Sequence, residues 1–345
     1  MTGLKQAAIR GLACAVLILP GIVSAQDESP RQQWQKGIAA AYSDLASTSQ
    51  SLANTTRRYC QAPSDAGRTT LVDSWRKAYT AWQAVRYVDF GPIEQNSRAW
   101  QLQFWPDSKN LIARKANYWL GQDAPVTADQ VNSDSVALQG FPAMEYLLFD
   151  QQPAKRGHAL PEAQACSLAV AIAEHIQTTS QSLSDDWAAF APHYVEGEQY
   201  TATTVKAALN GVEIIQDKRL AAPMGLRGNG SRNGYLADAW RSGESLTTIK
   251  ASIKGLQTSF LPGAVTLLKQ NDQAKLATKL SRQFERTLKE FDALPHALAP
   301  LLETDDGYRQ LQGLFIEVSQ LDQIINNNVA PALGITRGFN SSDGD

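Results

Sequence analysis

Near the C-terminus, Leu311, Leu314, Phe315, Val318, Leu321, Ile325 and Val329 recur at steps of three and four. That interval lines one face of an α-helix with apolar side chains. Leu276, Leu280, Phe284, Leu288 and Phe291 repeat the pattern, as do Trp75, Tyr79 and Trp82, and then Leu168, Ile172, Ile176, Leu183 and Trp187. Val205, Leu209 and Val212 continue to Gln216 with one polar lapse. No series of alternating β-branched residues competes with these stripes. Glycine and proline collect between them, at Gly91-Pro92, 153–161, 223–234 and 261–263, where helices should stop. The pattern predicts helices over 32–60, 66–88, 107–120, 135–149 and 161–188, then 199–221, 244–260, 272–294 and 304–330. The expected fold class is all-α.

The first residues break this pattern. Lys5 and Arg10 precede an apolar run over 12–19, then Pro20-Gly21 and the small residues of Val23-Ser24-Ala25. This is the layout of a secretory signal peptide, so 1–25 is expected to be removed and the mature chain to be periplasmic. The run is too short for a permanent membrane span, and no later stretch approaches the ~20 apolar residues one needs. The remainder exceeds what a single core usually organises. Two four-helix-bundle-like domains are expected, 26–193 and 194–345, joined near 191–198, with four main helices on each side.

Charge and cysteine narrow the classes further. The full chain carries 32 basic and 34 acidic side chains, and loss of Lys5 and Arg10 makes the mature chain more acidic, a poor balance for nucleic acid. Loss of Cys14 leaves Cys60 and Cys166, an even pair in an oxidising compartment, for which a disulfide is expected. Cys60 would end the first helix and Cys166 begin the fourth main one, and in an up-down-up-down bundle those ends share a pole.

Familiar chemistries find little support. His158, His175, His193 and His296 have no histidine or cysteine at a zinc-ligand spacing. There is no Gly-x-Ser-x-Gly elbow. The glycine-rich run 223–234 follows a helix rather than a strand and lacks Gly-Lys-Ser/Thr, so it reads as a flexible, partly basic connection rather than a phosphate cradle.

One segment carries a resemblance. Gly140-Phe141-Pro142-Ala143-Met144-Glu145-Tyr146-Leu147-Leu148-Phe149 resembles the Gly-x-His-x-x-Glu signature of the imelysin-like proteins, grouped also as peptidase family M75. Phe90-Gly91-Pro92-Ile93, Phe104-Trp105-Pro106-Asp107, Asp217-Lys218-Arg219-Leu220 with Pro223-Met224-Gly225, Ala239-Trp240-Arg241-Ser242-Gly243 and the terminal 338–345 resemble further family segments, in the family's order. The departure is Pro142, which stands where the family has its histidine. Proline cannot ligate a metal, and it is tolerated only in a first helical turn, so a helix should begin or kink close to Phe141.

The resemblance implies paired helical bundles with the signature near their junction, where a cleft forms. It implies a binding protein for iron or an iron-bearing ligand at the bacterial envelope, not catalytic, working with other envelope iron-uptake proteins. A metallopeptidase with a degenerate motif and a polysaccharide- or partner-binding module are the alternatives. Glu145 is then the expected ligand of iron or another divalent metal, and Arg241, Arg86, Asp217, Lys218 and Asp343 the expected ligand-binding residues. Each has a plainer use. Glu145 would sit where a helix dipole favours a carboxylate, and Lys218 and Arg219 would complement the last carbonyls of a helix. Arg86 and Arg241 could pair with buried carboxylates. Trp75, Tyr79, Trp82, Trp100, Trp105 and Trp119 could line a sugar groove, although helical spacing suits a core equally well.

Overall fold

The computed structural model describes residue 2 and residues 28–335. The expected signal peptide with Cys14, and the terminal segment with Asp343, lie outside the described residues. Ten helices build most of the described chain: α1 (Pro30–Gln61), α2 (Asp65–Val85), α3 (Leu111–Leu120), α4 (Phe141–Phe149), α5 (Ala163–Glu196), α6 (Gln199–Ile214), α7 (Ser245–Gly255), α8 (Leu261–Gln270), α9 (Ala274–Glu290) and α10 (Asp305–Ile324). Short helical turns connect several of them, and among the described residues there is no strand. No helix of these residues is long and apolar enough to cross a membrane.

The sequence accounts for these elements locally. Ser29 caps α1, accepting from the Gln32 amide while the Gln32 side chain returns to the Ser29 N–H, a reciprocal capping box. Trp34, Ile38, Tyr42, Leu45, Leu52 and Tyr59 then bury one face of α1. Ser49 of α1 and Ser180 of α5 meet at 3.1 Å in the interior, where small side chains let the two longest helices approach. α1 packs against α2, α5 and α8. Close to the start of α8, Trp34 donates its indole N–H to the Phe260 carbonyl at 2.6 Å and lies parallel to the Phe260 ring.

Two differences from the expected helices have physical causes. The helix expected over 161–188 runs on to Glu196 with Pro192 inside it. Its last turns are held by rings: Trp187, Phe190 and Tyr194 pack with Phe90 and Tyr200, with centroids 5.3–6.4 Å apart. That apolar contact offsets the backbone bond a proline removes. At 261–263 the chain does not simply stop. Pro262 occupies the first turn of α8, a position where its missing N–H costs nothing. α6, α7 and α10 each end in a wider π-helical turn, at Ile215–Ala221, Leu256–Phe260 and Ile325–Val329.

Where α2 crosses α7, a methyl group on Gly255 would lie 1.9 Å from the Ala84 carbonyl oxygen. Only glycine permits the crossing. Cys60 at the end of α1 and Cys166 at the start of α5 form the expected disulfide, with their Cα atoms 5.6 Å apart.

The disulfide closes a loop of 106 residues, for which loop entropy sets an upper bound of ~4.7 kcal/mol. The double variant Cys60→Ser/Cys166→Ser should lose about 2–4 kcal/mol in urea unfolding, and reductant should produce the same loss in the unaltered protein. A difference below about 0.5 kcal/mol would show that helix contacts alone fix the two ends.

Candidate functional site

The site is built on α4. Gly140 precedes it in extended conformation, and a Cβ there would come within 2.2 Å of the Leu102 carbonyl oxygen. The glycine therefore serves close packing of two chain segments. Pro142 lies in the first turn, so the helix starts where proline predicts. Every residue from Phe141 to Leu148 is buried. Trp75 donates to the Phe141 carbonyl at 3.2 Å, and Tyr79 stacks on the Phe141 ring. The helix cannot turn without disturbing that packing.

Glu145, only 2% exposed, meets the loop that leads into α7. Ser242 donates both its backbone N–H and its hydroxyl to Glu145 Oε1, each at 2.8 Å. Burial pushes the Glu145 carboxyl up to about 7, while the Ser242 hydrogen bonds and the charge of Arg241 oppose the shift and Asp238 reinforces it. Arg241 is fixed from three sides. Its Nε donates to Asp150 at 2.9 Å, and its guanidinium lies 4.3 Å from the centre of the Trp240 ring and 5.5 Å from that of Tyr146.

These residues border a cavity of about 700 Å³. Its aromatic wall includes Phe104, Trp105, Tyr146, Phe149, Tyr235 and Trp240, and its polar groups include Asp107, Asn110, Glu145, Asp150, Lys155 and Arg241. All three carboxylates are already engaged, Glu145 by Ser242. Asp107 accepts from the Leu111 and Ile112 amides at the start of α3, at 2.7 and 3.0 Å, and Asp150 holds Arg241. Among the described residues no three His, Cys, Asp or Glu side chains are grouped to hold a metal ion. The donor set does not fit a metal centre made by the protein alone.

Behind the cavity lies a second, buried cluster. Asp238 receives Arg219 through Nε at 3.2 Å and Nη2 at 2.8 Å. Arg86 approaches the same carboxylate at 3.8 Å and lies 5.5 Å from the Trp105 ring centre. Burial draws the Arg86 guanidinium down to about 10, with Arg219 adding to the effect and Asp238 opposing it. Arg219 also donates to Ser252 at 2.7 Å, and Gln103 accepts from Trp82 and Gln83 at 2.8 and 2.7 Å.

The structure thus brings Glu145 and Arg241 to one cavity and sets Arg86 directly behind it. Asp217 and Lys218 lie elsewhere, on the π turn after α6. Asp217 pairs with Arg227 at 2.9 Å, Lys218 is exposed, and neither borders the cavity. Their neighbour Arg219 points inward instead. Ser242, Asp238, Asp150 and Asp107 carry parts of the site that sequence reasoning did not single out. Ser242 and Asp107 sit within the resembling fragments 239–243 and 104–107, which together with α4 surround the cavity. The histidines are elsewhere too: burial draws His175 down to about 4, His296 bonds Thr247 at 2.8 Å, and none of the four borders the cavity.

A sequence model of the imelysin family, peptidase M75, matches residues 38–325. Among solved structures, the chain is similar to an imelysin-like protein from Psychrobacter arcticum 273-4, with 22% identity, a TM-score of 0.77, and coverage of 92% of this chain and 100% of that one. It is similar also to a protein from Parabacteroides distasonis ATCC 8503 described as an iron-regulated protein A precursor, with 14% identity, a TM-score of 0.66, and coverage of 90% and 97%. At these identities the likeness is one of fold. No curated protein matches the chain.

The Glu145 carboxyl makes a pH signature. Its folded-state pKa of about 7 lies above the ordinary 4.5, so raising the pH deprotonates the unfolded chain first and favours unfolding. Between pH 4.5 and 7 the unaltered protein should lose up to about 3 kcal/mol of stability relative to Glu145→Gln, at ~1.4 kcal/mol per unit. Urea unfolding of both proteins at pH 4.5, 6 and 7.5 measures the difference, and parallel stability curves would place the carboxyl at its ordinary pKa.

Proposed function

Because the chain belongs to the imelysin family, we propose that it is a non-catalytic binding protein of the periplasm whose cavity beside Glu145 takes an iron-bearing organic ligand. The observation that carries this reading is the pairing of an aromatic-walled cavity of about 700 Å³ with a donor set too small for a bare ion. A chelate brings its own donors to the metal. The protein then needs only to recognise the organic shell, which rings do by stacking and a positioned guanidinium by pairing with anionic groups. The volume falls within the range of small-molecule sites, ~300–1,000 Å³. The signal-peptide pattern of 1–25 supports the compartment, and the name of the Parabacteroides distasonis protein supports the link with iron.

The carboxylate adds selectivity. With Glu145 titrating near neutrality, its protonated form donates a hydrogen bond and its ionised form accepts one, so the cavity can meet either polarity of ligand group. The same property favours a second reading. A carboxyl poised near pH 7 is suited to general acid–base catalysis, which would fit the peptidase label of the family, with metal supplied together with the substrate.

Calorimetric titration of the mature protein with ferric citrate, ferric catecholate, the iron-free chelators, and ferric, ferrous and zinc ions distinguishes these readings. One chelate should bind with 1:1 stoichiometry, and Trp240→Ala should weaken it at least tenfold. Stoichiometric binding of a bare ion that Glu145→Ala abolishes would replace the chelate with direct coordination. Silence in every titration would reject the iron reading, and chelator-sensitive cleavage of a denatured protein substrate would establish the peptidase.

A further inference from the structure

Sharing no residue with the cavity beside Glu145, a second concavity of about 480 Å³ is bordered by α9 and by α10 with its π turn. One wall is cationic. Lys275, Lys279, Arg282 and Arg286 face it from α9, at intervals of four, three and four residues that place them in a row ~16 Å long, taking ~1.5 Å of rise per residue. The opposite wall carries Gln320, Gln323 and Asn328, with Ile324 between them.

A row of lysines and arginines is commonly just a solvated helix face. Here the arrangement works against helix stability. Like charges three and four residues apart repel, and Lys275 sits in a first turn that contains no acidic residue, where the helix dipole already concentrates positive potential. Facing carboxylates would relieve both effects. The facing positions are instead amides, and Lys279 reaches only the Asn328 side-chain oxygen, at 3.4 Å. Glu317 neutralises Arg286 at 2.7 Å and accepts from Gln283 at 2.8 Å, which closes one end of the groove. Among the described residues Lys275 and Arg282 form no ion pair. Among the described residues three cations therefore remain without a carboxylate partner, in a chain whose formal charge is −2.

We propose that this groove is a binding site for an acidic polysaccharide chain, independent of the cavity beside Glu145. The cations recognise the carboxylate or sulfate groups of successive sugar units. The amide wall offers a donor and an acceptor at each side chain, which suits hydroxyl groups. Among the described residues the groove is lined by no aromatic ring and by one apolar side chain, Ile324, so these residues offer little with which to bury the side chains of an acidic peptide. A concavity between two helices also admits a thin chain where a flat lipid surface would touch only its rims.

The test uses the mature protein and four probes at low salt: polygalacturonate, dextran sulfate, neutral dextran, and vesicles containing an anionic phospholipid. The triple substitution Lys275→Gln/Lys279→Gln/Arg282→Gln changes only exposed side chains, and Lys206→Gln/Lys254→Gln/Lys289→Gln removes equal charge from exposed positions outside the groove. The expected result is saturable binding of polygalacturonate or dextran sulfate, weakened at least tenfold by the groove substitutions, changed less than twofold by the control set, and lost as salt is raised. No binding of either acidic chain, equal loss in both variants, or groove-dependent binding of vesicles alone would overturn the proposal.

Discussion

The buried carboxylate of Asp238 is the constraint on which the site depends. It lies between two guanidiniums, Arg219 from the π turn after α6 and Arg86 from the end of α2. Removing one member of such a buried pair generally costs ~3–5 kcal/mol, because the remaining charge is left without compensation. Asp238 therefore cannot leave its place cheaply, and the chain that follows it is fixed at its first residue. Four residues later Ser242 meets Glu145, and between them Trp240 and Arg241 turn toward the cavity. A loop with no regular structure acquires in this way the positional precision of a helix.

The wider π turn after α6 contributes to the same end. Within 215–221, Asp217 and Lys218 lie toward solvent while Arg219 is 1% exposed. An extra residue in a turn rotates the side chains that follow, and such turns are often found at functional sites. The long cation is thereby aimed at Asp238, and Ser252 and Gln83 extend the network toward α2. Glu145 is thus reached from two directions, by hydrogen bonds from the loop and by the field of a buried ion cluster behind it.

Much of the fold was legible because its physics is local. Apolar spacing located the long helices, Pro142 located the start of α4, and the pairing of Cys60 with Cys166 was expected from an even cysteine count after the expected signal peptide and from the helix order. The errors also have local names. Pro192 read as a break because the ring cluster around Trp187 and Tyr194 is assembled by distant segments, including Phe90 and Tyr200. In the site, Glu145 and Arg241 were legible from the resembling fragments. Their relation was not, since Ser242 lies 97 residues from Glu145 and no one-dimensional pattern reports such a contact. The inward turn of Arg219, beside the outward Lys218, likewise depends on a helical irregularity that spacing does not encode.

α5 passes without interruption from Ala163 to Glu196, through the stretch where the sequence suggested a joint. A continuous helix resists bending more than a loop does, so 163–196 forms one element in which Pro192 is carried inside the helix. The chain between Met224 and Trp240 contributes Tyr235, Leu236, Ala239 and Trp240 to the cavity wall. There Gly225, Gly228 and Gly230 have left-handed backbones, and the last two have open space around them, whereas just beyond them Arg232 lies 3.7 Å from the centre of the Tyr308 ring and Gly234 packs against Ala299, so the segment bearing Tyr235 is moored to the C-terminal helices.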